Sequence, residues 1–99
     1  MEYSVDINKQ SVNINKLKTI GNKDRIRILN ILMNKPMSWT ELQNQFDMNP
    51  NTLNYHLTRL IHSGFIARDI VPSENDKPGT KYSILEEGER YYNLSLKEV

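Results

Sequence analysis

Cysteine is absent from the 99 residues of this chain. A chain without cysteine has no disulfide, no thiolate ligand for a metal and no cysteine nucleophile. Long hydrophobic runs are also missing: the apolar residues, 37% of the total, are dispersed along the sequence, whereas a membrane helix needs about 20 in a row. These absences exclude a disulfide-stabilised scaffold and a transmembrane span, and they predict one ordinary globular domain.

A secretory signal is not evident at the start of the sequence. Residues 1–6 lack a basic segment, and the apolar residues that follow are too scattered to form the hydrophobic region of a signal peptide. We therefore expect a cytoplasmic location.

The motifs of common enzyme classes are missing as well. The sequence contains no phosphate-binding loop, dinucleotide fingerprint, zinc-protease helix or nucleophile elbow. His56 and His62 lie six residues apart, so they do not share the helix face that a two-histidine metal site needs. We predict that the protein is not an enzyme and needs no metal and no cofactor.

The net charge of +1 conceals an uneven distribution of charge. Residues 9–35 contain seven basic residues and one acid, and residues 49–68 contain no acid at all. Residues 86–99, in contrast, contain four acids and two bases. Such a distribution suits a protein with one side that faces an anionic partner, although solvated helix faces often have a similar composition.

Apolar stripes at helical spacing and polar N-cap residues predict four helices before residue 63. The third and fourth form a helix-turn-helix at about 38–63. Ser38 and Glu41 have the spacing of a capping box, and Asn49-Pro50 suits the start of the fourth helix because proline is favoured at the first helical position. This fourth helix has a buried apolar stripe and a polar opposite face.

Branched and aromatic residues after residue 64 predict a β-hairpin at about 65–85, with a polar loop, Pro72 to Thr80, that projects into solvent. A last helix is expected at about 86–97. The predicted fold is mainly α with a small β-hairpin, in the order α-α-α-α-β-β-α, within a single domain 1–99. This is the arrangement of a winged helix-turn-helix.

Two segments of the chain resemble a known family. Residues 17–29, L-K-T-I-G-N-K-D-R-I-R-I-L, are similar to the opening L-K-A-L-G-x-P-x-R-x-x-I-L of ArsR-family regulators, with Lys23 in place of the proline. Residues 48–66 resemble the recognition segment of that family. The resemblance covers residues 17 to about 92 and implies a DNA-binding transcriptional regulator. The cysteine-containing ligand motif of the metal-sensing members has no counterpart here, so any effector is left open.

The polar face of the fourth helix carries the candidate DNA contacts. Asparagine, threonine and arginine side chains suit base edges and phosphates in the major groove. We expect base contacts from Asn51, Thr52, Asn54 and Tyr55, and phosphate contacts from Thr58 and Arg59. Further candidates are Asn49 before this helix and three basic residues of the hairpin, Arg68, Lys77 and Lys81. The alternatives are a solvated helix face and a mobile hairpin loop that does not contact DNA.

The first helix, at about 9–20, and the last helix carry more apolar surface than a small core needs. The resemblance implies that these terminal elements pair two copies of the chain into a homodimer. The predicted dimerisation residues are Ile14, Leu17, Ile20, Tyr91, Tyr92, Leu94 and Leu96. A twofold dimer would bind a pseudo-palindromic site. Alternatively, both helices fold back on their own domain.

These features predict a sequence-specific regulator that binds double-stranded DNA as a homodimer and represses transcription. Two other functions remain open, namely a winged-helix module that binds a protein and a non-specific protein that coats RNA or chromatin. Salt dependence and sequence dependence of binding distinguish these alternatives.

Overall fold

The computed structural model of the protein describes residues 5–7, 10–72 and 78–96. Within these residues the chain forms five helices and five strands. In chain order they are β1 (Val5–Ile7), β2 (Gln10–Val12), α1 (Ile14–Ile20), α2 (Lys23–Asn34), β3 (Met37–Ser38), α3 (Trp39–Gln45), α4 (Pro50–His62), β4 (Ile66–Val71), β5 (Gly79–Ile84) and α5 (Glu86–Leu96). The mainly helical fold with a small antiparallel hairpin is confirmed. No helix in the described part of the chain is long and apolar enough to cross a membrane.

The helices begin where the sequence provides capping groups. The Asn22 side chain accepts hydrogen bonds from the backbone N–H groups of Asp24 and Arg25, at 2.9 and 3.1 Å. Ser38 and Glu41 form the complete capping box at the start of α3. These side chains satisfy backbone donors that have no partner within the first turn of a helix. The predicted capping box of α3 is therefore confirmed.

The first helix is shorter than the range 9–20 expected from its apolar spacing. The Asn13 side chain accepts hydrogen bonds from the N–H groups of Asn15 and Lys16, so α1 begins at Ile14. The preceding residues, 10–12, are instead the β2 strand, which pairs antiparallel with β1. The spacing of apolar residues located this helix but not its first residue, which the side-chain cap determines.

A single hydrophobic core lies between the helices and the sheet. Its fully buried side chains include Ile28 and Leu29 of α2, Leu42 of α3 and Phe65 just after α4. Gly88 of α5 is buried where this helix passes the α4–β4 connection, and a Cβ atom there would collide with the carbonyl oxygen of Phe65. The absence of a side chain at position 88 thus allows α5 to pack closely against the rest of the fold.

The hairpin belongs to a three-stranded sheet with the order β3-β5-β4. Ser38 of β3 pairs with Lys81 of β5, so the start of α3 is attached directly to the hairpin. The sequence did not indicate β3, because a strand of two residues has no alternation to detect. β4 and β5 begin and end inside the range 65–85, and Gly79 and Thr80, predicted as loop, belong to β5. The rest of the predicted loop, including Lys77, lies mainly outside the described residues.

Three of the predicted dimerisation residues are core residues of the chain itself. Ile20, Tyr91 and Tyr92 are only 5%, 0% and 9% exposed. The Tyr91 hydroxyl accepts a hydrogen bond from the backbone N–H of Asn13 at 2.7 Å, and the Tyr92 hydroxyl donates to Asn30 Oδ1 at 2.6 Å. All three side chains are buried within one chain, and both tyrosine hydroxyls form hydrogen bonds within it. The assignment of Ile20, Tyr91 and Tyr92 to a free dimer surface is therefore corrected.

Candidate nucleic-acid interface

The recognition helix candidate, α4, has two sides of different character. Leu53, His56, Leu57 and Leu60 face inward and are at most 6% exposed. Polar and aromatic residues lie on the outer side, as the helical period of 3.6 residues requires. The outer residues, all exposed, are Asn51, Thr52, Asn54, Tyr55, Thr58, Arg59 and His62. We call this set the outer face of α4. It contains no acid.

The start of α4 is defined by Asn49 and Pro50. The Asn49 side-chain oxygen accepts a hydrogen bond from the backbone N–H of Asn51 at 2.7 Å, and Pro50 occupies the first turn, where its missing N–H has no cost. The Asn49 side chain is exposed. Since one lone pair of its oxygen serves the helix cap, its amide N–H groups and the second lone pair remain for an external partner.

A buried polar group holds the inner side of α4 against α2. His56 Nδ1 lies 3.2 Å from the Arg25 guanidinium, and Arg25 Nε donates to the carbonyl oxygen of Thr19 at 2.7 Å. Because arginine is only a donor, Nδ1 must accept and the proton of the neutral ring is on Nε2. This second nitrogen lies 3.9 Å from Asp24 Oδ2. His56 is therefore a structural residue that connects α4 to α2.

Burial favours the neutral form of His56. It lowers the pKa of the imidazole below its usual range, the positive charge of Arg25 lowers it further, and the nearby carboxylate of Asp24 opposes the shift. Neutral His56 can accept the hydrogen bond from Arg25 at Nδ1. In protonated His56 this nitrogen carries a proton, so two N–H donors would face each other. The geometry and the shift therefore agree on a neutral ring.

A hydrogen bond also fixes a side chain on the outer face of α4. Trp39 Nε1, at the start of α3, donates to Asn54 Oδ1 at 2.7 Å. The Trp39 ring is also partly buried against the hydrophobic core. Its contact with Asn54 could not be read from the sequence, because the two residues are 15 positions apart and meet only when α3 and α4 are folded together.

The hairpin contributes two exposed basic residues that the structure describes. Arg68 lies on β4 and Lys81 on β5, and both side chains are exposed. Lys81 is paired across the strands with Asp69, whose opposite charge offsets part of its own. The third predicted hairpin contact, Lys77, lies outside the described residues.

Two basic side chains of the segment 9–35, Lys16 of α1 and Arg25 of α2, are engaged within the chain. Lys16 Nζ lies 2.8 Å from Glu87 Oε2, Arg90 contacts the same carboxylate at 2.8 Å, and Arg25 is buried against His56. The hydrogen bonds from Arg90, and next from Lys16, lower the pKa of Glu87, while burial raises it to a smaller extent. The basic segment 9–35 is therefore not one continuous surface for an anion, and the outer face of α4 with the hairpin is the stronger candidate.

No metal site accompanies this surface in the described ranges, where no three histidine, aspartate or glutamate side chains lie close enough to hold an ion.

The fold and this surface define a class of protein. A helix-turn-helix followed directly by a β-hairpin, with a solvent-exposed polar second helix, is a winged helix-turn-helix. Residues 22–68, just under half of the chain, match the family model described as bacterial regulatory protein, ArsR family. The protein thus has a winged helix-turn-helix fold, and its residues 22–68 are similar to regulators of the ArsR family. The matched family model and the similar structures are described as those of transcriptional regulators.

Solved structures support the assignment of the fold. HlyU from Vibrio vulnificus CMCP6 is 25% identical, with a TM-score of 0.66 over 85% of this chain and 83% of that one. A transcriptional regulator homologue from Pyrococcus horikoshii OT3 is 24% identical, with a TM-score of 0.69 over 86% of this chain and 90% of that one. A protein described as a MarR-family regulator from Enterococcus faecalis V583 is 21% identical, with a TM-score of 0.74 over 85% of this chain and 76% of that one. No curated protein sequence matches the chain.

Proposed function

We propose that the protein is a sequence-specific, double-stranded DNA-binding regulator that acts as a homodimer in the cytoplasm and represses transcription by occupying a pseudo-palindromic site. The observation that carries this proposal is the outer face of α4. It combines exposed amide, hydroxyl and guanidinium groups, and it has no acid that would repel phosphate.

The chemistry of these side chains favours the major groove of DNA. Amide groups can pair with base edges, threonine can contact a thymine methyl group, and arginine can bind guanine or phosphate. In a helix-turn-helix the N-terminal half of the second helix reaches the bases. We therefore assign base contacts to Asn51, Thr52, Asn54 and Tyr55. Phosphate contacts are assigned to Asn49, Thr58, Arg59, Arg68, Lys77 and Lys81.

Exposed apolar side chains on α1 and α5 support the homodimer. Ile14, Leu17 and Leu96 are 67%, 38% and 53% exposed. Leu17 also lines, together with Leu94, an apolar groove of about 390 Å³ between the two helices. A second copy of the chain would cover this surface and, in a twofold dimer, place two α4 helices about one DNA turn apart.

Selection of bound sequences from a random duplex library tests the DNA-binding proposal. We expect a preferred sequence with two related half-sites, bound orders of magnitude more tightly than random DNA, with an affinity that decreases as salt increases. The same salt dependence without a preferred sequence would identify a non-specific coating protein. Absence of binding to any nucleic acid would favour a module that binds a protein.

Light scattering at micromolar concentration tests the dimer. The wild-type chain should have the mass of two copies, and Leu17→Lys should give one copy because a charge is then placed in the proposed contact. Ile70→Lys is the matched control, since Ile70 is a 74% exposed apolar residue on the hairpin and should not affect the mass. A monomeric wild-type chain contradicts the dimer.

A further inference from the structure

The hydrogen bond between Trp39 and Asn54 determines which way the Asn54 amide faces. The indole Nε1 lies 2.7 Å from Asn54 Oδ1. An indole N–H group can only donate a hydrogen bond, so the atom that faces it must be the amide oxygen rather than the amide nitrogen. The chemistry of Trp39 thus selects one of the two possible orientations of this amide.

The indole is held in place by parts of the fold other than α4. Ser38, the residue before Trp39, pairs with Lys81 in the sheet and forms the capping box of α3 with Glu41. The Trp39 ring itself packs, partly buried, against the core. Asn54, in contrast, is an exposed residue of α4. The fixed partner in this pair is Trp39, and the side chain that is oriented is Asn54.

We propose that Trp39 is a positioning residue that makes Asn54 a hydrogen-bond donor toward DNA. The inference rests on the proposed function. A free asparagine reads adenine with both ends of its amide, since the oxygen accepts from N6 and the nitrogen donates to N7. In this protein one of the two lone pairs of Asn54 Oδ1 is already used by the indole N–H, which makes this oxygen a weaker acceptor for N6. No described residue accepts a hydrogen bond from Asn54 Nδ2.

An amide whose N–H groups are free and whose oxygen is already partly occupied favours a base edge that carries only acceptors. In the major groove that edge belongs to guanine, through O6 and N7, whereas adenine presents one acceptor and one donor. At the base pair that Asn54 faces, the protein therefore prefers guanine to adenine. Trp39 contributes to this preference without contacting the base.

Selection from a random duplex library with three proteins tests the preference. Asn54→Ala first identifies the base pair that Asn54 reads, as the position at which the wild-type preference is lost. Trp39→Phe then keeps an aromatic ring and removes the indole N–H. At that same base pair it should shift the ratio of adenine to guanine by about 5-fold or more toward adenine. The neighbouring variant Thr40→Ala is the control and should cause no shift. An unchanged ratio in folded Trp39→Phe overturns the proposal.

A second measurement needs no DNA. The chain contains a single tryptophan, so a nitrogen-15 NMR spectrum has one indole N–H signal. Asn54→Ala should move this signal and accelerate its exchange with water by several-fold, because the acceptor is removed. Thr58→Ala, also exposed on α4, should leave the signal unchanged. An unchanged signal in Asn54→Ala overturns the proposal even if the protein binds DNA. The expected signal change in a protein without any sequence preference shows instead that the proposed function has failed, and the base-reading role with it.

Discussion

The inner and outer sides of α4 are stabilised by different partners. The inner side, with its three leucines and His56, is covered by α2 and the core, and almost none of it reaches solvent. The outer face is exposed, and in the described residues one of its side chains, Asn54, is oriented by Trp39. The inner side of α4 therefore stabilises the fold, whereas the side chains of its outer face are exposed and accessible to a partner. Changes on the inner side should therefore alter stability, and changes on the outer face should alter binding.

The largest effect is expected from a cavity on the inner side. Leu60 is fully buried, so Leu60→Ala should lower the free energy of unfolding by about 2–5 kcal/mol in denaturant titrations at fixed protein concentration. Thr58→Ala, two positions away and exposed, is the control and should change it by less than about 0.5 kcal/mol. Similar losses in the two variants would mean that the two sides do not differ as described.

A change on the outer face should affect DNA binding with little effect on stability. Tyr55 is 57% exposed, and we expect Tyr55→Ala to weaken binding to the preferred site by about 1–3 kcal/mol, since it removes a base contact. The free energy of unfolding should remain close to that of the wild type. Binding titrations with preferred and random duplexes are the measurement. Equal losses on the two duplexes would argue against base reading by Tyr55.

Acid should destabilise the inner side through His56. Because burial lowers the pKa of this imidazole in the folded protein, the unfolded chain takes up a proton first as the pH falls below the usual histidine value of about 6.5. The folded state then binds fewer protons than the unfolded state, so stability decreases with decreasing pH until the lowered folded-state pKa is reached. Above about pH 6.5 both states are neutral at this position and the effect is absent.

Denaturant titrations between pH 7 and pH 5 measure how the free energy of unfolding depends on pH. In this range His56→Gln should remove the largest part of that pH dependence. His62→Gln, at an exposed position of the same helix, is the control and should retain it. If His56→Gln keeps the wild-type dependence on pH, the neutral buried imidazole is not its source.

The smallest effect is expected on the hairpin. Lys81 is exposed and lies opposite Asp69, so Lys81→Ala should weaken binding to all duplexes alike and reduce the slope of log affinity against log salt by about one. Lys77, outside the described residues, carries the same prediction. Lys18→Ala on α1 is the control. A loss confined to the preferred sequence would assign Lys81 to base reading instead of phosphate contact.

Much of the helix-turn-helix could be predicted from local signals. The caps at Asn22, Ser38 and Asn49 involve residues only two or three positions apart, and the apolar stripe of α4 follows from the helical period alone. Interactions that depend on such short separations are visible in the sequence because no other part of the chain is needed to form them.

Contacts between distant residues could not be predicted in this way. The apolar surface of the last helix predicts a dimer contact at Tyr91 and Tyr92, but the sequence does not indicate which residues of the same chain cover them. Each hydroxyl bonds to a residue more than 60 positions away. The strand β3, two residues long, likewise exists only because β5 lies beside it.

The sequence by itself determined the order of the helices and hairpin, the caps that start α2 to α4 and the division of α4 into an apolar side and a polar side. These follow from backbone geometry and from hydrogen bonds within one turn of a helix. Only the tertiary structure decided that both tyrosines belong to the core, that Arg25 holds His56 and that Trp39 orients Asn54. The physical reason is that each of these interactions joins groups that are far apart in the chain, and the packing of the whole domain brings them within bonding distance.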